Sequence, residues 1–218
     1  MIGVVIAMQS DAEILLEDMH IRQALTISGK NIYVGNAFQQ EIAVCICGVG
    51  KVNAAFGTQI LISKFNVDKL LNFGVAGGLN QGTKLTNVYQ IQAAVQFDFD
   101  LVQLNHTKIG TLDEYTENYL PLTPLPLPFE KKNLGTADRF NDSDADYMLL
   151  TKELYADIRD MEGGAIVQAA HAAKLPVYSV KAISDVAGNG SSTEQYLVNR
   201  SKALQNLKSV LPSIFEKL

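Results

Sequence analysis

VKAISDVAG, residues 180–188, ends a continuous apolar run that begins at residue 176. Such a run is typical of a strand that is buried on both faces of a sheet. A helical pattern over 161–174 comes directly before it, and two further apolar runs lie at 2–8 and 70–78, the second of which ends in glycines. Strands that alternate with helices predict an α/β domain in three layers, with helices on both faces of a central sheet.

The remaining segments follow the same alternation. A helix is expected after Ser10 and Asp11, which suit its N-cap and lead into apolar positions as far as Met19. Residues 103–130 lack a clear period and contain four of the six prolines, so we expect a long loop there. The other expected elements are a hairpin of strands 31–38 and 41–48, a helix over 51–65, strands over 88–101 and 133–138, and a terminal amphipathic helix over 194–216.

Length and composition exclude several classes of protein. A chain of 218 residues with 47% hydrophobic content can bury one core, so a single domain over 1–218 is expected. The net charge of −5 shows no basic patch, which argues against a nucleic-acid partner. No apolar run reaches the ~18 residues that span a membrane. Charged residues make up only 19% of the chain, which suggests an apolar subunit interface.

The two cysteines, Cys45 and Cys47, lie in one apolar run. On a strand they would share a face, which is too constrained for an ordinary disulfide. No companion histidine or cysteine stands at zinc spacing. We therefore expect buried, reduced thiols, which suit the cytoplasm.

Three carboxylates stand where an α/β sheet places its chemistry. Asp185 ends the strand within 176–184 and enters a glycine-containing turn, although an Asx-turn or a helix cap would use the same residue. Glu162 starts the helix at 161–174, where it could simply complement the helix dipole. Asp11 could likewise be an N-cap and nothing more.

The usual signatures of nucleophile, metal and phosphate sites are missing from the sequence. GVGK (48–51) is followed by Val52 where a P-loop needs a hydroxyl, and VAGG (75–78) lacks the GxGxxG spacing. These glycines suit a close approach of the backbone to a ligand. The three histidines share no pattern. Carboxylates near glycine turns then favour acid–base hydrolysis without a metal or cofactor.

Several longer motifs carry a family resemblance. The most specific are DMEGGAIVQAAHAAKLPV (160–177) and VKAISDVAG (180–188), and IAMQSDAEILL (6–16), CGVGKVNAAFGTQILI (47–62), FGVAGGL (73–79), FDFDL (97–101) and GTADRFN (135–141) extend them over nearly the whole chain. The chain resembles the 5′-methylthioadenosine/S-adenosylhomocysteine nucleosidases of the nucleoside phosphorylase superfamily. The resemblance implies a three-layer α/β/α sandwich with a mixed, partly barrel-like central sheet, and usually a homodimer.

The resemblance also implies roles for individual residues. Asp185 would protonate N7 of a bound purine, Glu162 would hold the ribose hydroxyls, and Asp11 would activate the attacking water. Met161 would pack beside the sugar, and Phe140 would stack on the base. The Asn141 backbone would pair with the base edge. The other residues of the expected pocket are Ala7, Met8, Val49, Ala76, Gly77, Asp160 and Ser184. The segment with Asp98 and Asp100 would lie near the subunit interface.

Three positions depart from the pattern of that family. Asp11 replaces a glutamate, Val75 replaces a common serine, and Lys181 replaces a common arginine. The leading hypothesis is a purine nucleosidase that uses water. A phosphorylase of the same superfamily is the first alternative; the chain has only four arginines, none in a glycine turn. A non-catalytic nucleoside-binding protein is the second.

Overall fold

One mixed sheet organises the part of the chain that the computed structural model describes, residues 1–79, 82–140 and 143–218. Its strands are β1 (Ile2–Ile6), β2 (His20–Ile27), β3 (Lys30–Ala37), β4 (Gln40–Ile46), β5 (Lys69–Gly78), β6 (Val88–Gln96), β7 (Leu120–Pro121), β8 (Lys131–Thr136), β9 (Ile158–Asp160) and β10 (Val177–Val186). The helices are α1 (Gln9–Leu16), α2 (Lys51–Phe65), α3 (Val102–Asn105), α4 (Asp144–Met148), α5 (Gly163–Ala172) and α6 (Ser192–Lys217), and a π-helical turn over Leu149–Glu153 follows α4.

Five of the strands close on themselves. The order β10–β6–β8–β9–β5 returns to its start because β5 also pairs in parallel with β10. The open part continues from β5 through β1 and β4 to the antiparallel strands β3 and β2. The expected mixed, partly barrel-like sheet is therefore confirmed.

Helices cover both faces of the sheet, as the alternating pattern predicts. On β1, Val5 faces the core beneath α2 and α5, whereas Val4 and Ile6 face the core beneath α1 and α6. Alternate residues of a strand point to opposite faces, so a continuous apolar run supplies both cores at once. The three-layer arrangement is therefore also confirmed.

The carboxyl ends of β1, β4, β5 and β10 meet at one edge of the sheet, because these strands are linked by parallel pairings. Residues that follow them along the chain are therefore brought together at that edge. The connection from β9 to α5 also arrives there, since Arg159 pairs with Gly77 near the end of β5.

Two element predictions were wrong in detail, and some elements were not predicted. The first helix begins at Gln9 with Met8 at its N-cap and no side-chain cap, so neither Ser10 nor Asp11 caps it. The strand predicted over 88–101 ends at Gln96, because Asp98 turns to accept hydrogen bonds from Lys51 Nζ (2.6 Å) and Asp138 N (3.1 Å). Strand β2 and helix α4 were not predicted.

The expected long loop over 103–130 holds little regular structure beyond the end of α3 and the short strand β7. It is packed against the domain, because Leu112, Leu120, Leu122 and Leu125 are all buried. Among the described residues, none of the helices has both the length and the hydropathy needed to cross a membrane.

Cys45 and Cys47 are free thiols, and both are buried, as predicted. Burial raises the pKa of each thiol to about 12, so both stay neutral and unreactive at ordinary pH. Gly57 of α2 packs directly on them, where a β-carbon would lie 2.6 Å from Cys47 Cβ. The missing side chain of Gly57 therefore lets α2 approach the sheet at these two cysteines.

Candidate active site

A cavity of about 370 Å³ opens at the carboxyl edge of the sheet. That volume lies within the range of small-molecule sites. Of the predicted site residues, those that line it are Ala7, Met8, Asp11, Val49, Ala76, Gly77, Phe140, Asp160, Met161, Glu162, Ser184 and Asp185. Asn141 lies outside the described residues. Segments from six parts of the chain thus supply one cavity.

Asp185 is the second-to-last residue of β10, and the register between β10 and β5 shifts just before it. Its side chain is 1% exposed, and Ser184 Oγ donates a 2.8 Å hydrogen bond to Oδ1. Oδ2 has no hydrogen-bond partner among the described residues, and the guanidinium of Arg159 lies 3.5 Å away. Ser191 caps the following helix, so Asp185 is not a helix cap. One oxygen is thus left for a ligand.

Glu162 reaches across the cavity from the start of α5. Its side chain does not cap that helix; Oε1 instead accepts a 2.9 Å hydrogen bond from Gly50 N, which precedes α2. Burial and the neighbouring charge of Asp160 raise the pKa of Glu162 to about 7, although Lys181 and the Gly50 amide act in the opposite direction. The carboxyl group is therefore poised to change protonation near neutral pH.

Asp160 is held by protein groups on both oxygens. Lys181 Nζ lies 2.9 Å from Oδ2 in a buried ion pair, and Thr136 Oγ1 donates a 2.7 Å hydrogen bond to Oδ1. The amide of Gly163 donates to both oxygens. Although Asp160 lines the cavity, its bonds fix the start of α5 and hence the position of Glu162. We therefore interpret Asp160 as a residue that supports Glu162, although it is also one of the predicted pocket residues that line the cavity.

Asp11 enters the cavity from the first turn of α1 and is 3% exposed. Arg200 Nη2 of α6 lies 2.6 Å from Oδ1, and Val75 N donates a long 3.4 Å hydrogen bond to Oδ2. The side chain therefore makes bonds to distant segments, not to the amides of its own helix. This excludes the N-cap interpretation.

Aromatic side chains form the outer wall. Phe140 is half-exposed, and its ring meets Tyr196 edge-on with centroids 5.8 Å apart. The sequence predicted Tyr196 only as an apolar position of the last helix. Arg200 lies one helical turn further on and places its guanidinium 5.6 Å from the Tyr196 ring centroid. A spacing of four residues was the available signal that these two side chains share a face.

Three cations surround the cavity, and each has a carboxylate partner. The pairs are Arg159 with Asp185, Lys181 with Asp160, and Arg200 with Asp11. Arg159 lines the cavity from β9, although it does not lie in a glycine turn. In the described ranges, no group of three His, Cys, Asp or Glu side chains is arranged to hold a metal ion.

Sequence comparison supports the resemblance over nearly the whole length. Residues 1–216 match the model of the family described as the phosphorylase superfamily. A 5′-methylthioadenosine/S-adenosylhomocysteine nucleosidase of Listeria monocytogenes is 25% identical over 201 residues, which cover 85% of this chain and 86% of that protein. The nucleosidase of the same name from Staphylococcus haemolyticus is 26% identical and is matched over 100% of both chains.

Solved structures agree with the fold. The Helicobacter pylori 5′-methylthioadenosine/S-adenosylhomocysteine nucleosidase, complexed with a pyrrolidine inhibitor, has a TM-score of 0.90 at 22% identity and covers 100% of this chain and 98% of that one. A structure of the H. pylori futalosine hydrolase has the same TM-score and identity, with 100% and 97% covered. The Streptococcus pneumoniae nucleosidase, with a transition-state inhibitor, scores 0.88 at 24% identity over 99% and 98% of the chains. At these identities the likeness establishes the fold.

Proposed function

The chain belongs to the phosphorylase superfamily, and from this premise we propose that it is a purine nucleosidase. It hydrolyses the N-glycosidic bond of 5′-methylthioadenosine and S-adenosylhomocysteine, releases adenine, and so serves methionine salvage. The observation that carries the proposal is the shared cavity of Asp185 and Glu162, which is of nucleoside size. Curated relatives that match 85% or more of the chain are named for this activity.

Asp185 acts on the base. A glycosidic bond to a purine breaks readily once N7 is protonated, because the base then leaves as a neutral molecule. Asp185 Oδ2 is the oxygen that donates, since it is buried and makes no hydrogen bond within the described residues. After the transfer, the charge of Arg159 at 3.5 Å stabilises the carboxylate that remains. The proton is thus given to the ligand without leaving an unpaired buried charge.

Glu162 acts on the sugar. As the bond breaks, positive charge develops on the ribosyl ring, and a nearby carboxylate stabilises it, as in glycosidases. The Gly50 amide holds one oxygen of Glu162, which leaves the other to accept hydrogen bonds from the ribose hydroxyls. Met161 packs beside the sugar, and Phe140 covers the base from the outer wall. Asp11 orients the water that attacks the opposite face of the ring.

Hydrolysis is preferred to phosphorolysis because of the charge pairing around the cavity. A phosphate site needs cationic donors that are available to the anion. Here Lys181 and Arg200 are already bound to carboxylates at 2.9 and 2.6 Å, and Arg159 lies beside Asp185. A phosphate would have to displace these partners, whereas a neutral water molecule does not.

We also propose that the domain acts as one unit and pairs as a homodimer in the cytoplasm. Exposed apolar side chains on α2 and α3 support an interface: Val52, Phe56, Val102 and Leu104. The two reduced cysteines suit a reducing compartment. Light scattering of the purified protein tests the pairing: a dimer is expected, and Val52→Asp with Phe56→Asp should give a monomer. A wild-type monomer would refute it.

The function is tested with a panel of nucleosides, each followed for free base with and without phosphate. Methylthioadenosine, S-adenosylhomocysteine, deoxyadenosine, futalosine and inosine form the panel. We expect adenine from the first two at a rate that phosphate does not change. A rate that depends on phosphate would identify a phosphorylase. Tight binding without any free base after hours would identify a non-catalytic binding protein, and either result overturns the proposal.

A further inference from the structure

Arg200 has no part in the mechanism described so far, yet it is the main partner of the carboxylate assigned to the water. It lies on α6, 189 positions from Asp11 in sequence. Its Nη2 atom lies 2.6 Å from Asp11 Oδ1 and also donates to the neighbouring Ser10 hydroxyl. One guanidinium nitrogen therefore joins the first turn of α1 to the wall of the cavity.

The contact is directional, because Arg200 binds one oxygen of Asp11, Oδ1, and does not bind the other, Oδ2. Oδ2 accepts only the long 3.4 Å hydrogen bond from Val75 N among the described residues. A β-carbon at position 74 would lie 3.1 Å from that oxygen, so Gly74 gives it room. Oδ2 can therefore accept a hydrogen bond from a water molecule while Oδ1 stays held.

The contact also supplies the charge that Asp11 needs. A carboxylate that is 3% exposed has lost most of its hydration, and an opposite charge within hydrogen-bond distance compensates for that loss. Arg200 keeps its own charge: burial lowers its pKa, but the hydrogen bond and charge of Asp11 outweigh burial and raise it above the ordinary value. Arg200 is thus cationic throughout the neutral range.

Arg200 is held in turn by the aromatic wall. Its guanidinium lies 5.6 Å from the centroid of Tyr196, within the range of a cation–π contact. Tyr196 lines the cavity and meets Phe140. The orientation of Asp11 is therefore coupled to the wall that closes over a ligand.

We propose that Arg200 is a positioning residue, which holds Asp11 in the orientation that activates the attacking water. This inference rests on the proposed hydrolysis. Arg200 is not among the residues that line the cavity, so we expect its removal to slow the chemical step and leave ligand binding unchanged. If Arg200 only linked α1 to α6, its removal would instead lower the stability of the fold and leave the step that Asp11 serves unchanged.

The test uses Arg200→Met, which keeps the length of the side chain and removes the charge. An error of about 1 Å in the position of a reacting group costs roughly 100-fold, so we expect kcat to fall by about that factor, with KM and the Kd for adenine unchanged. Arg200→Lys should restore most of kcat, because only Nη2 contacts Asp11 and a point charge can replace it. Arg22→Met, which breaks an exposed pair with Glu41, is the matched control and should keep full activity.

A double-mutant cycle separates positioning from a structural role. If Arg200 acts through Asp11, Arg200→Met should cost nothing more in an Asp11→Asn background. The inference is overturned if Arg200→Met keeps kcat within about twofold of an active wild type, or if its loss is equally large without the Asp11 carboxylate. If the wild-type protein releases no base, the proposed function falls first and this inference falls with it.

Discussion

Gly77 lies directly beside Asp185 across the pairing of β5 and β10. The two are register partners, and a β-carbon at position 77 would lie 2.9 Å from Asp185 Oδ2 and 3.0 Å from Arg159 Nε. The missing side chain therefore makes the space in which the carboxyl group and the guanidinium meet. From the sequence, Gly77 was expected only to let the backbone come close to a ligand. In the structure it also leaves the space that the carboxyl group of Asp185, the proposed proton donor, occupies.

Gly77→Ala should therefore impair catalysis more than folding. The added methyl group pushes Asp185 or Arg159 by several tenths of an ångström, and misplacement by about 1 Å costs on the order of 100-fold in rate. We expect kcat to fall by at least tenfold while the far-ultraviolet circular dichroism spectrum stays unchanged. Steady-state kinetics beside thermal melts check this. Full activity in a folded Gly77→Ala protein would mean that Asp185 is not the donor.

The acid limb of the pH profile should report Glu162. Its pKa is raised to about 7 by burial and by Asp160, so the carboxylate that holds the ribose is lost as the pH falls below that value. We expect kcat/KM to fall about tenfold per pH unit on the acid side of this value. Glu162→Gln should have low activity, and its pH profile should lack this fall on the acid side. A wild-type profile that stays flat from about pH 5.5 to 8 would contradict the assignment.

The same raised pKa makes a prediction for stability. In the unfolded chain the carboxyl group has its ordinary pKa of 4.5, whereas in the folded protein its pKa is about 7. The stabilisation that protonated Glu162 contributes is therefore complete below about pH 4.5 and is lost as the pH rises to about 7. Relative to wild type, Glu162→Gln should gain about 3 kcal/mol in free energy of unfolding across that window. Urea titrations of both proteins at about pH 4.5 and pH 7 measure this gain. The same difference in free energy of unfolding at both pH values would contradict the prediction.

Breaking the buried pair of Lys181 and Asp160 should destabilise the fold. Lys181→Met leaves the carboxylate of Asp160 buried without its counter-charge, and such losses cost about 3–5 kcal/mol. We expect a lower urea midpoint for this variant. The exposed Lys131→Met is the matched control and should change stability by less than about 0.5 kcal/mol. Equal midpoints for the two variants would show that the pair contributes nothing.

Local pattern was enough to predict most of the fold, whereas the residues that line the cavity were predicted from the family resemblance. The strand and helix carrying Asp185 and Glu162 are continuous apolar segments, and parallel strands bring their carboxyl ends together. Strand β2 was missed because it lies at the edge of the sheet with its residues largely exposed, so it lacks the alternation of a half-buried strand. Edge strands give weak signals for this reason.

The ion pairs of the site could not be predicted from local pattern. Arg159 and Arg200 reach their carboxylates with long side chains from a short strand and from the last helix, and no spacing rule links position 200 to position 11. The family resemblance predicted Asp160 only as a residue of the pocket. Its bonds to Lys181 and to the start of α5 depend on which strands become neighbours.

The most direct measurement is the release of adenine from methylthioadenosine, without phosphate, by the wild-type protein and by Asp185→Asn. An amide cannot give a proton to N7, so the variant should lose roughly 100- to 10,000-fold in kcat and still bind adenine. The exposed Asp113→Asn is the control and should match wild type. If Asp185→Asn releases adenine as fast as wild type, the purine is protonated by another group and the account is wrong.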